Sequence, residues 1–349
     1  MKKRLIIACL VLYCMTFILY PCGSGGQVSG TPAKIRADGD ASYISSSKVA
    51  AKTVDLLIDV NINESEQKIL IQADDTDNPI LLYIHGGPGD PAMMFSHTYS
   101  DLLRNRFVFV NWDQRGAGLS WHEGMDESKI TEDQLVDDAL ELTRFLIQSY
   151  KKDKIYIIGH SYGSIIGMRL ASEHPELYHA YIGIGQVLDW NRSVSYTRKW
   201  LTAEMKKAGD VEGLKKLESS AVPDMNAVIG YGGHTHKAID YDKIIKNSPY
   251  YFDGYIDLKN KARELVQRNI AKSRSTMSFW DIEKFRIPIY FFEGRFDHVT
   301  ACAPELVIEF CDKIEAPEKE TVWFEDSAHM PNLQEPVKFQ QMIIEKLLK

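Results

Sequence analysis

The stretch Ile155-Tyr156-Ile157-Ile158-Gly159-His160-Ser161-Tyr162-Gly163 decides the reading of this chain. Its first four residues are β-branched or aromatic and read as a buried strand. A tight turn of the form Gly-x-Ser-x-Gly follows, and Ser164 to Glu173 then reads as a helix. Such a turn forces its serine into a strained backbone, so small residues are needed on either side, and Gly159 and Gly163 supply them. The helix N-terminus below the serine favours developing negative charge. The pentapeptide alone is weak evidence. Its strand–turn–helix setting makes Ser161 the expected nucleophile rather than part of an ordinary glycine turn.

Further apolar runs lie on both sides. Ile80–Ile84, Phe107–Val110, Tyr181–Ile184, Ile287–Phe292 and Thr321–Phe324 all read as strands. Helical patterns alternate with them. Thr131 reads as an N-cap, with Leu135, Val136, Ala139, Leu142, Phe145 and Leu146 on one face of the helix it opens, and a closing helix runs from about Pro336 to Leu348. Continuous apolar strands separated by helices predict an α/β fold with a mostly parallel sheet covered on both faces. Between about Leu188 and Phe285 the texture becomes polar and helical with scattered aromatics. Strands resume after it, so it reads as a helical cap inserted into the sheet rather than as a separate C-terminal domain.

The expected organisation is a signal or anchor segment at 1–22, a flexible linker at 23–47, core at 48–187, cap at 188–285 and core again at 286–349. Lys2-Lys3-Arg4 followed by the apolar run Leu5–Tyr20 has the charge and length of an export signal. It is slightly short for a transmembrane helix of about 20 residues. Either the segment is a cleaved or lipoprotein signal with Cys22 acylated, or it is an uncleaved anchor. Both place the protein outside the cytoplasm, and an acylated Cys22 or an uncleaved anchor would associate it with a membrane through the N-terminus. The net charge of −7 becomes −10 once the three leader cations are removed. That balance, with no basic block, argues against a nucleic-acid partner. Of five cysteines only Cys302 and Cys311 lie in the folded part. A helix starting near Ala303 would hold them too far apart to bond, so they read as buried thiols, and no zinc-ligand spacing is present.

A serine nucleophile needs a base, and the base needs an orienting acid. In the strand–turn–helix setting of Ser161 these follow in the order serine, acid, histidine. Asp297 follows the strand Ile287–Phe292 and is the expected acid, with Glu293 as runner-up. His329 follows the last strand and is the expected base; His298 adjoins the acid, and His234 and His236 lie in the cap. The oxyanion donors are expected at the Tyr162 N–H and, from the glycine-rich loop His85-Gly86-Gly87-Pro88-Gly89 after an early strand, at the Gly87 N–H. No metal or organic cofactor is called for.

His85-Gly86-Gly87-Pro88-Gly89, then Asp113-Gln114-Arg115-Gly116-Ala117-Gly118-Leu119-Ser120, then the serine turn together resemble the proline iminopeptidase family of the α/β-hydrolases. The resemblance spans about Leu70 to Val187 and the chain from about Ile287 onward. It implies an α/β-hydrolase fold, a triad of Ser161, Asp297 and His329, and release of N-terminal residues from short peptides. It also implies a mainly structural Asp-Gln-Arg-Gly turn, with Arg115 pairing to a nearby acid. The family often has Gly-Gly-Ser-Trp-Gly at the serine, where this chain has His160 and Tyr162. Family members hold the substrate amine with cap acids, for which Glu204, Glu212, Glu218, Asp224 and Asp240 are candidates here. The cap aromatics Trp190, Tyr196, Trp200, Tyr231, Tyr250, Tyr251, Phe252 and Tyr255 are candidates for a pocket lining, and Tyr231-Gly232-Gly233 for a hinge. Esters of small acids are the alternative substrate, and a non-catalytic binding protein is the reading from another class; a complete triad in order argues against the latter. A serine at the nucleophile position argues against an epoxide hydrolase or dehalogenase.

Overall fold

The computed structural model describes residues 34–36 (main chain), 52–270 and 276–349. The leader and Cys22 lie outside these residues. Among the described residues no helix is long and apolar enough to cross a membrane.

One nine-stranded sheet organises the chain, in the order β1-β2-β3-β5-β4-β6-β7-β8-β9. Its strands are β1 Lys34–Arg36, β2 Val54–Ile62, β3 Ser65–Ala73, β4 Ile80–Ile84, β5 Val108–Trp112, β6 Ile155–His160, β7 Tyr178–Ile184, β8 Ile289–Gly294 and β9 Lys319–Phe324. From β5 to β9 all neighbours are parallel, whereas β3 runs antiparallel to both β2 and β5. Two parts of this sheet depart from the sequence expectation. Lys34–Arg36, inside the segment expected as linker, pairs in parallel with β2 at Asp59–Asn61. An edge strand offers unpaired N–H and C=O groups, and a short polar segment suffices to take them. The β2–β3 hairpin also precedes Ile80–Ile84, the first strand read from the sequence. Its turn, Asn63-Glu64, takes positive φ at both residues without glycine, so it lacks the usual hairpin signature.

Successive side chains of the central strands point to opposite faces. On β4, Ile80, Leu82 and Ile84 join one core with the helices Glu132–Tyr150 and Tyr162–Glu173. Leu81 and Tyr83 join a second core with Phe339, Ile343 and Leu347 of the C-terminal helix Pro336–Leu347. Burial on both faces is why these strands are apolar throughout. Thr131 caps the first helix, its Oγ1 accepting from Gln134 N at 3.2 Å. Between β7 and β8 the chain leaves the sheet for the helices Trp190–Ala208, Val211–Ser219, Met225–Gly230, Tyr241–Lys246 and Tyr255–Ile270. The first three enclose a small core of their own around Leu201, Met205, Leu217 and Val228. The sheet then resumes, with Ile184 of β7 opposite Phe292 of β8.

Candidate active site

Ser161 sits between β6 and the helix Tyr162–Glu173 with φ 52° and ψ −124°. A non-glycine residue held there costs on the order of 1–3 kcal/mol. Close packing holds it: a Cβ on Gly163 would fall 2.2 Å from the Ile84 carbonyl oxygen, and one on Gly159 2.6 Å from the Gly163 carbonyl oxygen. The Ser161 N–H donates to the Ile184 carbonyl at 2.8 Å, tying the turn to β7. The helix opens at Tyr162 rather than at Ser164, so its N-terminal dipole begins at the serine itself.

Asp297 and His329 meet at the same, C-terminal end of the parallel strands as Ser161. His329 Nδ1 lies 2.7 Å from Asp297 Oδ2, with both residues buried. The second carboxylate oxygen accepts from Val299 N at 2.9 Å. Two glycines make this meeting possible. A Cβ on Gly294 would stand 2.0 Å from the Ala328 carbonyl oxygen, and one on Gly185 2.8 Å from the His329 ring. Glu293 lies on β8 and does not reach His329. Its Oε1 accepts from Gln186 N at 3.1 Å, and Oε2 has no partner. Burial, reinforced by the Asp297 charge, holds its carboxyl well above the usual range, so it is a neutral acid in the core.

The glycine loop after β4 touches the serine. A Cβ on Gly86 would fall 2.7 Å from Ser161 Cβ, and Gly87 takes φ +111° beside it. His85 anchors the loop: its Nε2 accepts from Gln114 N at 3.2 Å, and its carbonyl accepts from Gln114 Nε2 at 2.6 Å. Burial lowers the His85 pKa to about 4. The Asp-Gln-Arg-Gly turn is thus a brace beneath the loop. Arg115 forms a two-pronged pair with Asp138, Nε to Oδ2 at 2.7 Å and Nη2 to Oδ1 at 2.8 Å.

A buried Asp–His pair beside a strained serine, with a glycine loop against it, is a hydrolase arrangement, and the comparisons agree. The family described as "Serine aminopeptidase, S33" matches residues 77–336. The chain belongs to that family. It is 28% identical over 312 residues to the Bacillus subtilis protein "Probable aminopeptidase YbaC", covering 82% of this chain and 95% of that one. It is 25% identical over 285 residues to a proline iminopeptidase of Saccharolobus solfataricus, covering 77% and 84%. The proline iminopeptidase structure from Mycobacterium smegmatis superposes with a TM-score of 0.62 at 15% identity, over 83% of this chain and 97% of that one. At that identity the last match shows the fold alone, which is the α/β-hydrolase fold.

Two site residues of this serine hydrolase carried no signal in the sequence. Cys302, read there only as a buried thiol, packs against the triad: its Sγ, an Asp297 oxygen and a His329 ring nitrogen all lie within 4.8 Å of one another. The thiol donates to the Gly185 carbonyl at 3.0 Å. Burial raises its pKa well above the usual value, so it stays a thiol and is a poor metal ligand. With Asp297 and His329 already hydrogen-bonded, this trio is an Asp–His pair and a packing thiol rather than a metal centre. Cys311 is free and buried as expected. The other is His234, whose ring lies 5.5 Å from that of His329. His160 also flanks His329, with ring centroids 5.0 Å apart. Its Nε2–H donates to the His329 carbonyl at 2.9 Å, and burial takes its pKa to about 3.

The cap candidates scatter. Asp224 and Asp240 cap helices through Asn226 N and Lys243 N, and Glu212 pairs with Lys216. Glu218 is exposed. Glu204 is near enough for its charge to act on His298, beside Asp297. Of the aromatics, Tyr196 binds Glu309, Tyr231 binds Asp210, and Tyr250 donates to Asp55 on the hairpin. Trp200 stacks on His298 at 4.2 Å and so reaches the catalytic loops.

Proposed function

We propose that this serine hydrolase is an aminopeptidase that releases N-terminal residues from short peptides through an acyl-enzyme. The Asp297–His329 hydrogen bond of 2.7 Å beside the strained Ser161 carries the reading. Ser161 Oγ attacks the carbonyl carbon while His329 Nε2 takes its proton. Asp297 holds Nδ1–H, fixing the tautomer and stabilising the imidazolium. The N–H groups of Gly87 and Tyr162 receive the oxyanion, at the end of a helix whose dipole points the same way. His329 then protonates the departing amine, and water, activated by the same imidazole, opens the acyl-enzyme. The names of the relatives support a peptide as substrate.

The test pairs an aminoacyl arylamide, proline among the acyl groups, with a short-chain nitrophenyl ester. Arylamide turnover abolished in Ser161→Ala is expected. Ester turnover alone would replace the peptidase reading with the esterase one, and unchanged turnover in Ser161→Ala would remove the mechanism. We further propose that residues 1–22 direct export and tether the protein at a membrane; fractionation of wild type against Cys22→Ala separates a lipid anchor from a peptide one.

A further inference from the structure

Residues 231–237 leave the cap helix Met225–Gly230 and lie across both catalytic loops. The His298 N–H donates to the Gly233 carbonyl at 2.9 Å, and the His329 N–H to the His234 carbonyl at 3.1 Å. The segment is pinned at its far end as well. The His236 ring stacks on Phe296 at 3.6 Å, the His236 N–H donates to Gln334 Oε1 at 3.4 Å, and Lys237 pairs with Asp326 at 3.6 Å. Gly233 fits only because it lacks a side chain, since a Cβ there would stand 2.7 Å from the Trp200 ring.

This anchoring leaves one side chain turned toward the chemistry. The His234 ring lies over His329, inclined at 48°, with Tyr241 beyond it at 6.4 Å. It makes no hydrogen bond within the described residues. Burial, with a smaller contribution from His329, lowers its pKa to about 4, so it is neutral when His329 becomes charged. His160 is the other imidazole next to the His329 ring, and its Nε2 is already engaged. His329 must deliver a proton to the leaving atom, so the leaving group passes close to the His329 ring. Of the two neighbouring imidazoles, His234 is the one whose ring is left free to bind it.

We propose that His234 determines specificity by forming the leaving-group subsite, its imidazole hydrogen-bonding the first peptide group of the departing chain. The proposal rests on the acyl-transfer reading above. A neutral imidazole offers one donor and one acceptor, which matches the N–H and C=O of a peptide unit. A nitrophenolate leaving group carries no such unit. The subsite therefore acts on acylation by peptides and has no part in deacylation, when the leaving group has gone.

The experiment uses the full chain as wild type, His234→Ala and His234→Gln, with a tripeptide and a nitrophenyl ester that share one acyl group. Labelling of Ser161 by a fluorophosphonate counts competent sites in each. In His234→Ala, kcat/KM on the tripeptide should fall about 10-fold, the loss of one hydrogen bond to substrate. Ester turnover per labelled site and the deacylation rate should hold, and His234→Gln should recover part of the tripeptide loss. A parallel fall on both substrates would make His234 scaffolding and overturn the proposal; so would no change on either. Absence of labelling in the wild type would instead overturn the acyl-transfer reading and take the proposal with it.

Discussion

The loops at the ends of the parallel strands and the cap that lies over them are built by different rules. Every group assigned to bond breaking stands at the end of a strand or one turn beyond it: Gly87 after β4, Ser161 after β6, Asp297 after β8 and His329 after β9. Their backbones are fixed by neighbours so close that a single methyl group would not fit at Gly163, Gly185 or Gly294. The cap instead spends its acids on its own helices, as the N-caps Asp210, Asp224 and Asp240 show. It reaches the chemistry through Trp200 and residues 231–237. Close backbone packing is thus concentrated at the strand ends, where the reaction is the same for every substrate.

Substitutions can break this contrast if core changes alter selectivity or cap changes alter turnover uniformly. The largest effect is expected from Asp297→Asn. It keeps the shape but presents the wrong tautomer of His329, so kcat should fall about 10⁴-fold for arylamide and ester alike. Arg115→Met leaves the fully buried Asp138 without its cation. Urea unfolding should show a loss of about 3–5 kcal/mol, while kcat per folded molecule is kept. Gly185→Ala pushes a methyl into the His329 ring, and a displacement of that size should cost about 100-fold in kcat with little change in KM.

A further effect is on acid stability. His85, His160 and His234 have folded pKa values of about 4, 3 and 4, all below the ordinary 6.5. The unfolded chain therefore takes up their protons first as the pH falls. Stability is complete above about 6.5 and is lost progressively below it, at about 1.4 kcal/mol per pH unit for each fully buried histidine. Glu293 opposes this, since its raised pKa favours the fold most at low pH and less as the pH rises. Asp113, raised to about 7 by burial, opposes it as well. Three histidines outweigh two carboxyls, so the midpoint of thermal unfolding should fall modestly between pH 6.5 and 4. In His160→Gln that fall should be shallower by one proton.

The core was readable because burial on both faces leaves runs such as Ile80–Ile84 and Ile155–Ile158 apolar without interruption. The serine turn, its glycine loop and the order of acid and base then follow from the strands they terminate. The β2–β3 hairpin was less legible, because its strands interleave polar residues and its turn uses Asn63-Glu64 where glycine would announce it. Lys34–Arg36 was invisible for a different reason: an edge strand paired on one side needs no apolar run. Among the site residues, Cys302 and His234 were missed because contact with His329 is a tertiary fact. Neither has a spacing in the chain that points to the triad. The capping role of Asp224 and Asp240 could have been found, since each stands immediately before a helix.

The pairing of Tyr181 with Ile289 also sets a clock. During synthesis β7 emerges with its far edge bare, and the whole cap must follow before β8 can cover it. At typical elongation rates that wait is roughly 5–20 s. The strand left open is apolar, with Tyr181, Ile182 and Ile184 all destined for burial. A nascent chain in this state is a template for pairing with its neighbours on the polysome. The insertion that allows substrate selection to vary thus makes the half-made protein dependent on shelter, and the acid and base, encoded last, arrive only when that exposure ends.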